Sequence, residues 1–260
     1  MRILFVGDIV SQSGCDFLKN HLSSFKKLKQ IDLCIVNGEN SAVGNGITPH
    51  SAQSLFSAGA DAITLGNHAL KRSEIYEYLD NFNNPVVRPA NFSDKAPGRG
   101  SMIIDLGYTQ VGLINLIGAV YMQICENPFT CADREIESLK NQGVKNILID
   151  FHAEATAEKK ALAYYLDGRV SAVVGTHTHV QTADEQILEN STAYITDLGM
   201  TGPTESVLGV TKECAIEKMI TNLPVRFTNP QTDLCCIEGV IIDIDHTCGK
   251  AKSIERIQIR

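Results

Sequence analysis

Apolar residues cluster in short runs, with few polar interruptions, that end in glycine, asparagine, histidine or a carboxylate. Residues 2–6 run into Gly7-Asp8, residues 31–36 into Asn37-Gly38-Glu39-Asn40, and residues 62–65 into Gly66-Asn67-His68. Further on, residues 146–151 run into His152, and residues 170–174, broken only by Ser171, into Gly175-Thr176-His177-Thr178-His179. Runs without apolar–polar alternation suit strands buried on both faces. Between them the spacing becomes helical. Phe17, Leu18, Leu22, Phe25 and Leu28 mark one face of a helix over residues 14–29. Thr48-Pro49 opens another, with threonine as cap and proline in the first turn. Helices are also predicted over residues 73–80, 133–141, 157–166 (capped by Thr156) and 214–221.

Short strands are predicted at residues 85–88, 101–106 and 111–116, the last two joined by a turn at Gly107-Tyr108. After residue 190 the pattern becomes strand-rich, with runs at 194–196, 234–244 and 254–259, and residues 199–209 read as a loop, a contact or lid segment. A β/α first half and a strand-rich end point to an α/β fold of two sheets packed face to face with helices outside. No linker, repeat or low-complexity tract divides the 260 residues, so one domain spanning 1–260 is expected.

Composition narrows the classes of function. A net charge of −7 leaves no basic stripe to replace phosphate counterions, so direct binding of a nucleic-acid polymer is not expected. No apolar run approaches the ~20 residues of a membrane span. The eight cysteines show no CxxC spacing, which removes zinc-ribbon and thioredoxin-type readings and fits reduced thiols in a cytoplasmic protein. Cys235-Cys236 lies in an apolar run, where neighbouring residues face opposite sides.

The chemistry lies at the strand ends, where open α/β sheets gather their ligand sites. Asp8, Glu39, Asn40, Asn67, His68, His152, His177 and His179 all follow predicted strands. Spaced i and i+2, His177 and His179 would share one side of an extended chain. Carboxylate, amide oxygen and imidazole without thiolate suit iron, manganese or zinc. Such a set exceeds what one tetrahedral ion needs and suits two ions sharing a carboxylate bridge, a known device for in-line displacement at phosphorus.

The ordered set Gly7-Asp8, Gly38-Glu39-Asn40, Gly66-Asn67-His68, His152 and Gly175-Thr176-His177-Thr178-His179 resembles the calcineurin-like metallophosphoesterase superfamily. More narrowly it resembles the YmdB-type 2′,3′-cyclic-nucleotide 2′-phosphodiesterase family. The narrower marks are Val36 to Asn40, Arg88-Pro89-Ala90-Asn91, Asp150 to Thr156, Gly175 to Thr182 and Thr196 to Pro203. Glu39, where the wider superfamily has aspartate, and the absence of histidine two residues after Asp8 both fit the narrower family. Leu70 departs from it, standing where an aromatic is usual.

The resemblance implies a four-layer α-β-β-α sandwich and two transition-metal ions, iron first, with manganese or zinc as alternatives. It implies that Glu39 bridges them, that Asp8, Asn40 and His179 complete one site, and that Asn67, His152 and His177 complete the other. A metal-bridging hydroxide would attack a small phosphodiester such as a 2′,3′-cyclic nucleotide, with His68 as general acid. It also implies a homo-oligomer. Glu154 and Asp197 are candidates for orienting ligand imidazoles from outside. Two other functions remain open at this stage: a phosphomonoesterase built on the same metal pair, and a slow-turnover regulatory nucleotide-binding protein.

Overall fold

A computed structural model describes residues 1–260. The chain opens with β1 (Arg2–Val6), a short β2 (Asp8–Ile9) and α1 (Ser11–Lys29), then β3 (Leu33–Asn37), α2 (Pro49–Ala58) and β4 (Ala62–Thr64). A 3-10 turn (Ser73–Ile75) leads into α3 (Tyr76–Asp80), followed by β5 (Val86–Val87). The second sheet then begins with β6 (Ser101–Asp105) and β7 (Gln110–Ile117), α4 (Pro128–Asn141), β8 (Asn146–His152), α5 (Thr156–Leu166) and β9 (Ala172–Thr176). The chain finishes with β10 (Gln186–Ile187), β11 (Ala193–Ile195), β12 (Met200–Pro203), α6 (Lys212–Thr221), β13 (Cys235–Asp245) and β14 (Lys250–Ile259).

These strands make two mixed sheets. The first runs β2-β12-β13-β1-β3-β4-β5, with β14 also on β13; the second runs β10-β11-β9-β8-β7-β6. β1, β3, β4 and β5 are parallel neighbours, as are β7, β8, β9 and β11. The two-residue period of a strand sorts the apolar runs into layers. Ile3, Phe5, Leu33 and Ile35 face Leu113, Leu148, Val174 and Ile195 across the space between the sheets. Leu4, Val6, Cys34 and Val36 face outward onto Leu18 and Leu22 of α1 and Leu55 of α2. Ile114, Ile147, Ile149 and Val173 do the same for α4 and α5, meeting Ile136, Leu139 and Leu162. Both faces of the central strands are therefore covered, which is why their sequences show no alternation. The expected α-β-β-α sandwich is the observed fold.

Several elements differ from the sequence reading. α4 begins at Pro128 because the Asn127 side chain accepts hydrogen bonds from the Phe129 and Thr130 amides, a cap ahead of the expected start at 133. Thr156 is the first residue of α5 and no side chain caps it; Ala155 holds the cap position. Residues 199–209 are not all loop: Met200–Pro203 forms β12, buried between β2 and β13. All eight cysteines are free thiols, and burial pushes Cys15 and Cys131 up to about 12. No helix is long and apolar enough to cross a membrane.

Candidate metal centre

The carboxyl ends of β3 and β4 from one sheet meet those of β8 and β9 from the other, beside β2. All eight residues singled out in the sequence come together there. Asp8 lies in β2, Glu39 and Asn40 follow β3, Asn67 and His68 follow β4, His152 ends β8, and His177 and His179 follow β9. Close approach demands small residues at the seams. A Cβ on Gly66 would lie 2.3 Å from His152 Cδ2 and 2.4 Å from Glu39 Oε2, and one on Gly175 would lie 1.8 Å from the Thr196 carbonyl.

Glu39 is buried at the centre. Its Oε1 lies 3.1 Å from His152 Nε2 and 3.3 Å from His68 Nδ1, and it accepts the Asn40 Nδ2–H at 3.1 Å. Its Oε2 accepts the His68 amide N–H at 2.9 Å. On one side, His152 Nε2 lies 3.0 Å from both Asn67 Oδ1 and His177 Nδ1. On the other, His179 Nε2 lies 3.5 Å from Asp8 Oδ1 and 3.3 Å from Asn40 Nδ2, while Asp8 Oδ2 accepts the His177 amide N–H at 3.1 Å.

The histidine pair is not extended, contrary to the sequence reading. β9 stops at Thr176, and His177 and His179 have φ of 103° and 62°, left-handed conformations that cost of order 1–3 kcal/mol each. Asp197 holds this turn in place. Its Oδ2 accepts the Thr178 amide N–H at 3.0 Å and the Thr178 hydroxyl at 2.7 Å, and it pairs with the buried Lys159 ammonium at 2.8 Å. Asp197 therefore positions the backbone between the two histidines and touches neither ring. Glu154 does reach an imidazole, 3.2 Å from His177 Nε2.

Outer partners orient the imidazoles. His152 Nδ1–H donates to Thr176 Oγ1 at 2.9 Å, whose own hydroxyl donates to Asp150 Oδ1 at 2.7 Å, so in the neutral ring Nε2 carries the lone pair that a cation would take. Likewise His179 Nδ1–H donates to the Leu208 carbonyl at 3.1 Å, leaving Nε2 inward, and Glu154 Oε2 lies 3.2 Å from His177 Nε2, whose Nδ1 is turned inward. The sequence reading missed Asp150 and Thr176 as members of the site. One signal was present: Asp150 is a charged residue inside an otherwise apolar strand, two positions before His152 and so on the same face.

Three acceptors crowd His152 Nε2 at 3.0–3.1 Å, more than one N–H could satisfy. Asp8 Oδ1 is buried with no hydrogen-bond partner. Donor atoms about 3.0 Å apart match neighbouring ligands on a cation with bonds of about 2.1 Å. The residues therefore fit a transition-metal centre. Asn40 would hold a cation through Oδ1, the reverse of its present orientation, with Oδ1 towards His68 Nδ1 at 3.1 Å; the reversal exchanges O and N and moves no heavy-atom position.

Without a cation the charges balance through protons. Burial pushes the His152 imidazole down, but Glu39, Asp8 and Asp150 outweigh it and raise its pKa to about 9. Burial raises Glu39 and Asp8, yet the neighbouring imidazoles hold both below the usual carboxylate range. His179 is raised against its burial by Asp8, and His177 is lowered by burial and by the charge of His152. A cavity of about 310 Å³ opens onto the centre, lined by His68, Glu154, His177, Thr178, His179 and Asn229 among others.

Comparisons with known proteins find relatives along the whole chain. A family model described as YmdB-like protein matches residues 4–257. A Bacillus subtilis (strain 168) protein named 2′,3′-cyclic-nucleotide 2′-phosphodiesterase is 48% identical over 259 residues, covering 100% of this chain and 97% of the relative. A crystal structure of a hypothetical protein from Thermus thermophilus superposes with a TM-score of 0.93 at 37% identity, covering 100% of this chain and 99% of the other. A Mycoplasma pneumoniae structure described as a novel phosphatase does so with a TM-score of 0.92 at 31% identity, covering 100% and 93%. The chain belongs to the YmdB-like family of the calcineurin-like metallophosphoesterases, and it is an enzyme of phosphoester hydrolysis.

Proposed function

We propose that the protein is a dinuclear metallophosphodiesterase acting on small phosphodiesters such as 2′,3′-cyclic nucleotides. The observation that carries this reading is the division of the donors into two groups around Glu39, one of Asp8, Asn40 and His179, the other of Asn67, His152 and His177. Oxygen and imidazole donors without thiolate suit iron, manganese or zinc, and the family resemblance puts iron first. When bound, such ions supply Lewis acidity and a hydroxide at neutral pH. The name of the Bacillus subtilis relative supports the cyclic-nucleotide class at 48% identity.

His68 supplies the acid. Its Nδ1 faces the Asn40 amide at 3.1 Å and Glu39 Oε1 at 3.3 Å, so Nε2 is the ring nitrogen left for substrate. As hydroxide oxygen bonds to phosphorus, the P–O2′ bond breaks, its electron pair goes to O2′, and His68 delivers the proton there. The product is a 3′-nucleotide. Donors drawn from residues 8 to 179 and from both sheets suit a single catalytic domain over the whole chain.

The test is metal analysis of protein purified without added metal, then turnover of 2′,3′-cyclic AMP and of bis-p-nitrophenyl phosphate against p-nitrophenyl phosphate. Two metal equivalents and preferred release of 3′-AMP are expected. A protein that stays inactive after loading with iron, manganese or zinc, or that cleaves only the monoester, overturns the proposal.

A further inference from the structure

His68 walls two cavities. Beyond the one at the metal centre, a second of about 490 Å³ is lined by Asn67, Leu70, Phe92, Gln123 and Ile124. We propose that this second cavity holds the base of the nucleotide substrate and that Phe92 is the surface on which the base stacks. The inference rests on His68 acting as the acid. An in-line displacement places the leaving oxygen opposite the attacking one, and an acid must sit within about 3 Å of the oxygen it protonates. The ribose bearing O2′ therefore lies against His68, and its base projects away from the metal centre into the space beyond.

The lining suits a nucleobase, which has two apolar faces and a polar edge. Leu70 and Phe92 are partly buried against the core under the first sheet, and Ile124, also in the lining, stands fully exposed. Gln123 offers an amide to the edge. Phe92 is the one aromatic side chain in the lining besides His68 itself, and Lys71 is the one formal charge, a cation compatible with an anionic substrate.

This cavity also accounts for a string that the metal centre leaves unexplained, Arg88-Pro89-Ala90-Asn91. The Arg88 guanidinium donates to the carbonyls of Pro89 at 2.7 Å, Gly98 at 3.3 Å and Ala96 at 3.5 Å, fixing the segment that carries Ala96. Asn91 is buried and clasps both arms of the loop bearing Gln123 and Ile124. Its Nδ2 donates to the carbonyls of Ile117 at 2.8 Å and Glu126 at 3.0 Å, and its Oδ1 accepts the Ile117 amide N–H at 2.9 Å. The motif thus builds the walls of the cavity and ends at Phe92, its stacking face.

The test compares kcat/KM for 2′,3′-cyclic AMP with that for methyl β-ribofuranoside 2′,3′-cyclic phosphate, which keeps the reacting ring and lacks the base. The parent should favour the nucleotide, and Phe92→Ala should cut that preference about tenfold to a hundredfold, mainly through KM. Phe92→Tyr should restore it. An equal loss on both substrates, or a preference that survives Phe92→Ala, overturns the inference. A parent active on both substrates without preference overturns the inference and leaves the proposed function standing. A parent inactive on both overturns the two together.

Discussion

Replacing Thr176 by valine keeps the side-chain volume and removes one hydroxyl. That hydroxyl accepts from His152 Nδ1–H at 2.9 Å and donates to Asp150 Oδ1 at 2.7 Å, and it is fully buried. Two consequences follow. The Nδ1–H loses its acceptor inside the core, a desolvation cost of about 1–3 kcal/mol, and Asp150 keeps only its bonds from Thr64 and Asn37. The imidazole is also freed from the tautomer that leaves Nε2 inward. Loss of such an outer partner weakens metal binding by about 10–100-fold, or about 1.4–2.8 kcal/mol.

Calorimetric titration of metal-stripped protein with Mn²⁺ reads the affinity directly, and Thr64→Val is the control. Thr64 bonds the same carboxylate on its other oxygen and touches no imidazole. Both variants should lose stability, but only Thr176→Val should lose metal affinity. Unchanged affinity in Thr176→Val, or an equal loss in Thr64→Val, would refute the tautomer argument and leave Asp150 as a purely structural residue.

Further outcomes are expected. His68→Ala should retain both metal ions while turnover falls on the order of 10²–10⁴; a metal-free or fully active variant removes the acid role. The His152 pKa rises on folding from the ordinary 6.5 to about 9, so its contribution to the metal-free fold is complete below pH 6.5 and lost as pH rises towards 9. A cation competes with that proton, so the gain in Tm on adding Mn²⁺ should grow across the same window, and a pH-independent gain contradicts it. Lys159→Met strands the Asp197 carboxylate in the core and should cost about 3–5 kcal/mol in urea unfolding; a loss below about 1 kcal/mol would mean the pair is dispensable to the His177–His179 turn.

Much of this is legible in the sequence, for a physical reason. Strands covered on both faces are largely apolar along both, so β1, β3, β8 and β9 declare themselves, and the polar residue where each run stops sits at the sheet's functional edge. β12 is not legible: Met-Thr-Gly-Pro has neither alternation nor strand propensity, and only its partners β2 and β13 make it a strand. The start of α4 is signalled by Asn127-Pro128, a cap and first-turn pair that apolar spacing alone passes over. The structure brings His177 and His179 to one place by a different geometry from the one read in the sequence: a left-handed turn held by Asp197 presents them, not an extended chain. Such a turn depends on a residue 20 positions from His177 (197 − 177), and local pattern carries no trace of it.

Asp150 is the sharpest case of what pattern cannot convey. Burial raises its carboxyl to about 6 from the ordinary 3.8, against the pull of Thr64, His152, Thr176 and Asn37. Because the shift is upward, ionisation opposes folding increasingly between those values and by a constant amount above them, about 3 kcal/mol. Packing alone would be better served by an apolar residue of similar size. The charged group persists in a position where it joins the two sheets beneath the donors, accepting from Asn37 on β3 and Thr64 on β4 across the interface and from Thr176 on β9 beside it. The last of these bonds points His152 Nε2 at Glu39. The energetic penalty thus sits directly under the centre whose geometry it directs, as expected where a buried polar group serves the chemistry at the expense of the fold.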